Sequence, residues 1–155
     1  MSWEGGCQCG KVRYRLANEP IVVYTCHCHA CQKQSSSGFG ISVWVAEADF
    51  SLVRGKLGSW GTEADSGKAK ICTFCVDCGS RIYHCGIGDA NILSIKGGTL
   101  DRMAEFEPVA HIWIRSAQPW VRALLEGQLQ FETQPDSFAE MIRLYRCRLS
   151  GSDQK

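Results

Sequence analysis

Seven of the ten cysteines fall in groups spaced as metal ligands: Cys7-Gln8-Cys9, Cys26-His27-Cys28-His29-Ala30-Cys31 and Cys75-Val76-Asp77-Cys78. A CxxC places two sulfurs at the mouth of a tight turn where both reach one ion, and a CxC in an extended strand sends both side chains to one face. Each pair is therefore half a site. A closed structural zinc takes four such ligands, whereas a zinc held by three protein ligands keeps a position for water or substrate. Seven sulfurs divide as four plus three.

A disulfide framework is the competing reading of ten cysteines. Against it stand the crowding into CxC and CxxC pairs, too close in sequence to bridge comfortably, and a start, Met-Ser-Trp-Glu-Gly-Gly, without the basic and apolar regions of a signal peptide. A cytoplasmic location is expected. No apolar run approaches the roughly 18 residues of a membrane span. With 17 basic and 16 acidic residues the net charge is +1, so no bulk field draws the chain to nucleic acid or an anionic membrane. The composition, 45% hydrophobic and 21% charged, is that of a globular chain, and 155 residues fit one domain, expected over 1–149 with a mobile tail at 150–155.

The elements that must carry these ligands read mostly as strands. Lys11–Leu16 alternates charged and apolar residues and Ile21–Tyr24 is apolar, with Asn18-Glu19-Pro20 as a turn between them, which predicts a first hairpin. Cys7 and Cys9 then precede a strand, and Ile21–Tyr24 delivers the central cluster at its end. Gln32–Gly38 is polar and loop-like. Phe39–Val45, Phe50–Val53, Lys56–Trp60, Ala69–Phe74, Arg81–His84, Ile92–Lys96 and Ala110–Ile114 read as further strands. Gly61–Gly67 reads as a surface loop, Gly97–Asp101 as a turn, and Gly86–Asp89 as a break between strands. One segment reads as a solid helix, capped by Asp136, with Phe138, Met141, Ile142 and Tyr145 on one face. The fold class is mainly β and mostly antiparallel, in one domain.

Gly6-Cys7-Gln8-Cys9-Gly10, Val12-Arg13-Tyr14, Cys26-His27-Cys28 with Cys31 and Lys33, Phe74-Cys75-Val76-Asp77-Cys78-Gly79-Ser80 and Gly98-Thr99-Leu100-Asp101 together resemble the glutathione-dependent formaldehyde-activating enzyme (GFA) family, which is grouped with centromere protein V. The resemblance runs from about Gly5 to about Phe131, with Ala110-His111-Ile112-Trp113 and Pro119-Trp120 also familial. It implies a β-tent zinc-binding fold of antiparallel sheets with a short C-terminal helix. It also implies two zincs: one closed by Cys7, Cys9, Cys75 and Cys78, and a second on Cys26, Cys28 and Cys31 with an open position. Spacing alone leaves Cys72, three residues before Cys75, as an alternative CxxC partner; Phe74 and Gly79 complete the family pattern around Cys75 and Cys78.

Three thiolates and Zn(II) sum to minus one, since three negative charges outweigh two positive ones. Such an ion polarises a carbonyl weakly but leaves a fourth thiolate nucleophilic. By resemblance, glutathione is the co-substrate, formaldehyde or another small electrophile the acceptor, and the activity that of a carbon-sulfur lyase acting as S-(hydroxymethyl)glutathione synthase. A related lyase for another thiol is a neighbouring reading, and a non-catalytic zinc-stabilised interaction module a different one. His27 and His29 alternate with the cysteines and are expected to point away from the metal. His84 and His111 read as satisfied core histidines, and Cys85 and Cys147 as lone, buried apolar residues. Lys33 is the nearest candidate cation for a glutathione carboxylate, although it reads first as a solvated surface lysine. Phe39, Trp44 and Trp60 read as core rather than as pocket walls.

Overall fold

β-branched and aromatic residues dominate short runs such as Val22–Tyr24 and Ile41–Val45, and the computed structural model, which describes residues 2–87 and 91–151, is mainly β. In chain order come β1 (Trp3–Gly6), β2 (Arg13–Leu16), β3 (Val22–Cys26), α1 (His29–Ser35), β4 (Gly40–Ala46), β5 (Phe50–Arg54), β6 (Leu57–Glu63), β7 (Ala69–Cys75), β8 (Arg81–Gly86) and β9 (Ile92–Lys96). They are followed by β10 (His111–Ile112), α2 (Pro119–Arg122), β11 (Gln130–Phe131) and α3 (Ala139–Leu149). A small sheet has the order β1-β2-β5, and a large one β11-β10-β3-β4-β9-β8-β7-β6. Pairing is antiparallel except around β10, which runs parallel to β3 and β11.

The expected first hairpin does not form. Both strands exist, but β2 pairs with β1 and β5 in the small sheet, while β3 lies between β10 and β4 in the large one. Burial explains the separation. All five residues of β3 are buried, which requires cover on both faces, whereas β2 alternates. The Asn18-Glu19-Pro20 segment therefore crosses between sheets.

Other departures are local. Gln32–Ser35 is helical rather than loop, because Cys28 caps α1 and the Ser35 hydroxyl donates to the carbonyls of Cys31 (2.8 Å) and Phe39 (2.9 Å). Gly61–Glu63 continues β6, paired to Ile71, Lys70 and Ala69, so the loop shrinks to the hairpin end. The strand expected at Ala110–Ile114 is cut to two residues because Trp113 takes a left-handed φ of 61° and turns the chain into a 3-10 segment. Asp136 does not cap α3; the Ser137 hydroxyl accepts from the Ala139 amide instead, at 3.2 Å. Met141 and Tyr145 of α3 are buried, as the helical spacing requires. Within the expected tail, Ser150 and Gly151 donate back to Arg146 and Arg148, and 152–155 lie outside the described residues, as do 88–90 of the expected Gly86–Asp89 break. No described helix is long and apolar enough to cross a membrane.

One hydrophobic cluster spans both sheets, with Tyr14 of β2 stacked on Phe50 at 5.3 Å and Phe50 edge-on to Tyr83 of β8 at 5.1 Å. The small sheet is also latched to the turn after β9. Tyr14 bonds Thr99 through their hydroxyls at 2.7 Å, Arg13 pairs with Asp101, and the Asp101 amide donates to the Glu4 carbonyl at 3.0 Å. Gly5 sits beneath this latch, where an added Cβ would lie 2.4 Å from the Tyr14 ring and 2.5 Å from the Thr99 carbonyl oxygen. Gly5→Ala is thus expected to destabilise the protein by about 1–3 kcal/mol through overpacking, read as a lower urea midpoint at unchanged slope.

Candidate metal centres

Cys7 and Cys9 lie in the turn joining β1 to β2, not in an extended strand, and the turn aims both sulfurs the same way. Gly10, at φ +74°, closes it with its amide on the Cys7 carbonyl at 3.0 Å. Cys75 ends β7, and Gly79, at φ +75°, returns the chain to β8 with its amide on the Cys75 carbonyl at 2.9 Å. The two turns meet. The sulfurs of Cys7, Cys9, Cys75 and Cys78 lie within 4.8 Å of one another, with Cys7 to Cys9 at 3.4 Å and Cys9 to Cys75 at 4.0 Å. A tetrahedral zinc with bonds of about 2.3 Å sets its sulfurs about 3.8 Å apart, so this quartet fits the ion.

Hydrogen bonds orient the ligands. The Val12 amide donates to Cys7 Sγ at 3.2 Å, and Ser80 Oγ lies 3.2 Å from Cys78 Sγ while accepting from the Gln8 amide at 3.1 Å. Their protonation is divided: Ser80 brings the Cys78 thiol down to about 6, whereas the Lys11 amide pulls Cys9 down but the sulfurs of Cys7, Cys78 and Cys75 together with desolvation hold it up at about 12. Four sulfurs this close ionise together only around a cation.

The second group is built from the end of β3 and the start of α1. Cys26 closes the strand, Cys28 is the N-cap with its sulfur accepting from the Cys31 amide at 3.4 Å, and Cys31 sits in the first turn. All three are buried, with sulfurs within 4.8 Å of one another. Hydrogen bonds from Cys26 and Cys28, helped by the positive Lys96 and Lys70, bring the Cys31 thiol down to about 3; the sulfurs of Cys28 and Cys31 push Cys26 up, and Cys28, pulled down by Cys26, is raised on balance by Cys31 and burial. Three soft donors converging from one knuckle fit a zinc with one side free.

His27 and His29 point elsewhere, as the alternation implies. His29 is exposed, and His27 is fully buried in a chain of hydrogen bonds whose direction is fixed at its far end. Gln128 Nε2 donates to the Leu124 carbonyl at 3.2 Å, so its Oε1 accepts from His111 Nε2 at 2.7 Å. His111 Nδ1 then accepts from the Thr25 hydroxyl at 2.6 Å, whose oxygen accepts from His27 Nε2 at 2.9 Å. Burial lowers the basicity of both rings, His27 to about 4, so both are neutral at pH 7. His111 is the satisfied core histidine expected of it. Together with the Gln32 side chain, which donates to the His27 carbonyl at 2.7 Å, this chain fixes the knuckle between Cys26 and Cys28.

The pleat of the large sheet separates the two groups. Along β7, Cys72 and Cys75 are three residues apart and face opposite sides, so Cys72 is no substitute ligand for the quartet. Cys72 belongs instead to a row across one face, Trp60–Cys72–His84–Ser94–Trp44 on β6, β7, β8, β9 and β4, with Lys70 and Lys96 one pleat further along their strands. A cleft of about 470 Å³ opens over this face and reaches Cys26, Cys28 and Cys31. A smaller one, about 300 Å³, reaches Cys31 from the side of Lys33, Arg81 and Lys96; Cys31, Lys70 and His84 line both.

The sequence reading missed most of these cleft residues. His84 is not merely a core histidine: its Nδ1 lies 2.7 Å from the buried Lys96 ammonium, and its ring lines both clefts. Lys33 is exposed at the rim of the smaller cleft. Trp44 packs against the core as expected and also walls the larger cleft, Trp60, half exposed, walls the smaller one contrary to the core role expected of it, and Phe39 packs beside His27. Cys85 and Cys147 are half-buried and outside both sulfur groups.

A family model described as "Glutathione-dependent formaldehyde-activating enzyme" matches residues 2–116. A crystal structure of a protein from Rhodobacter sphaeroides is similar in fold, with a TM-score of 0.50 and 20% identity, covering 83% of this chain and 98% of that one.

Thr25→Val preserves the shape of β3 but leaves His27 Nε2 and His111 Nδ1 without their shared partner. The expected cost is about 1–3 kcal/mol for each orphaned nitrogen, measured by urea unfolding.

Proposed function

The chain belongs to the glutathione-dependent formaldehyde-activating enzyme family, and on that premise we propose that it is a zinc-dependent carbon-sulfur lyase that joins glutathione to formaldehyde. Two zincs per chain are proposed. Cys7, Cys9, Cys75 and Cys78 hold a structural ion, and Cys26, Cys28 and Cys31 a second one that supplies a coordination position where a thiol loses its proton more readily. The observation that carries the reading is the different setting of the two groups: four sulfurs join two turns, while three open on a cleft of about 470 Å³. That volume is typical of a small-molecule site.

The chain's own residues account for the rest of the binding. Tyr24, Trp44 and Phe138 form an aromatic wall, with Trp44 and Phe138 centred 4.2 Å apart, which excludes water from one side of the sulfurs. Lys68 and Lys70 line the larger cleft, and Lys33, Arg81 and Lys96 the smaller, giving the two carboxylates of glutathione cationic partners. These five have no carboxylate partner among the described residues, and the ion pairs formed there lie elsewhere. Thiolate ligands persist in a reducing compartment, so we place the protein in the cytoplasm.

The test is a pair of substitutions. Cys28→Ser should leave the melting temperature within a few degrees of wild type, drop metal content from two zincs to one and abolish the S-hydroxymethyl adduct seen by carbon-13 NMR. Cys75→Ser should yield insoluble or molten protein, since structural zinc binding of about 10–16 kcal/mol rivals the stability of a whole domain. Equal effects of the two substitutions contradict the division of labour, and a wild-type protein that forms no adduct points to a non-catalytic module.

A further inference from the structure

Two polar side chains on neighbouring strands are placed where the reaction needs donors and the sulfur groups supply none. His84 on β8 and Ser94 on β9 face each other across the ladder, and such neighbours hold their Cβ atoms about 4.5–5.5 Å apart. Both line the cleft that reaches Cys26, Cys28 and Cys31. Ser94 is 4% exposed, and its hydroxyl has no hydrogen-bond partner among the described residues. A buried orphan hydroxyl costs stability, and such a group persists where a ligand satisfies it.

His84 has its direction set by Lys96. The Lys96 ammonium, 9% exposed, has only donors, so the 2.7 Å contact makes His84 Nδ1 the acceptor and puts the ring proton on Nε2 of a side chain that lines the cleft. The charged and titratable groups around Lys96 are Lys70, Arg81, Cys31 and Cys26. Burial lowers Lys96 to about 8, so it stays a cation at pH 7, and burial keeps the His84 ring neutral.

We infer that His84 Nε2–H and Ser94 Oγ–H form a donor pair that binds the carbonyl oxygen of the aldehyde, with Lys96 as the positioning residue that fixes the His84 tautomer. The inference rests on the thiol–aldehyde reading above. As the thiolate sulfur bonds to the carbonyl carbon, the C=O π bond breaks and its electron pair moves to oxygen. The pair stabilises that oxyanion, and a proton, equivalent to the one the thiol released, reaches the oxygen from solvent to give the hydroxymethyl group. Nothing is oxidised or reduced. Donors preorganised at a developing oxyanion contribute about 10²–10³ in kcat each.

Formate, a planar one-carbon oxyanion, probes the pair without any chemistry. In zinc-loaded, nitrogen-15 histidine-labelled protein, His84 should show a bare Nδ1 and a protonated Nε2, and formate should shift Nε2. Ser94→Ala and His84→Gln should each weaken formate binding at least about tenfold and lower kcat for adduct formation roughly a hundredfold, with the thiol KM within about twofold. Ser94→Ala should melt no earlier than wild type, which separates catalysis from a structural role, and Lys96→Met should lose the single His84 tautomer. A proton on His84 Nδ1, formate that leaves Nε2 unmoved, full kcat in Ser94→Ala, or an unchanged tautomer in Lys96→Met overturns the inference. If wild type forms no adduct, the thiol–aldehyde reading falls on its own, and the formate titration still decides the donor pair.

Discussion

Four thiol groups within 4.8 Å of one another cannot all ionise without a positive charge among them, and the rest of the fold depends on how that constraint is met. The sulfurs come from the β1–β2 and β7–β8 turns, and Cys9 and Cys75 are 66 residues apart. A cation there ties the small sheet to the far end of the large one. Around the sulfurs the chain supplies orientation: amide and hydroxyl hydrogen bonds to Cys7 and Cys78, and a Lys11–Asp77 pair across the same two turns. The aromatic contact of Tyr14, Phe50 and Tyr83 joins the sheets from inside, so a metal at the sulfurs would close the same gap as the hydrophobic core.

The pleat of β7 then keeps the two sulfur groups apart. Residues one or three positions along the strand face opposite sides, so Cys75 turns toward the quartet, while Lys70 and Cys72 turn toward the cleft. The two faces differ in charge. On the cleft side, Lys33, Lys68, Lys70, Arg81 and Lys96 line the two clefts that reach three sulfurs, which would carry a net charge of minus one with zinc bound. This arrangement offsets the negative charge of the sulfur group and leaves cationic surface for an acidic thiol. Burying Lys96 beside a neutral histidine is unfavourable in itself, and the smaller cleft it shares with Cys31, whose charge favours the ammonium, gives that placement a physical cause.

What was legible in the sequence was local. The cysteine spacings, the flanking Gly10 and Gly79, and the apolar alternation of β4, β7 and β9 each follow from a few adjacent residues. Helix α1 was not legible, because Gln32–Gly38 is polar with three serines, and what holds it is a cysteine cap and hydrogen bonds from Gln32 and Ser35. The cleft residues were hidden for another reason. In Ile92-Leu93-Ser94-Ile95-Lys96 the polar positions alternate as they would on a solvent face. Only the placing of β9 between β4 and β8, beneath a covered cleft, makes Ser94 and Lys96 buried, and that placing is a property of sheet order. The same limit accounts for the mistaken first hairpin, since nothing in the Asn18-Glu19-Pro20 connection says that it changes sheets.

The most direct measurement is native mass spectrometry during stepwise chelation, with near-ultraviolet circular dichroism recorded on the same samples. The account requires two zincs per chain, a first loss that leaves the dichroism unchanged, and a second loss that coincides with collapse of the aromatic signal. A metal-free protein that keeps its native spectrum, or a mass showing Cys7 or Cys9 oxidised to a disulfide, would contradict it.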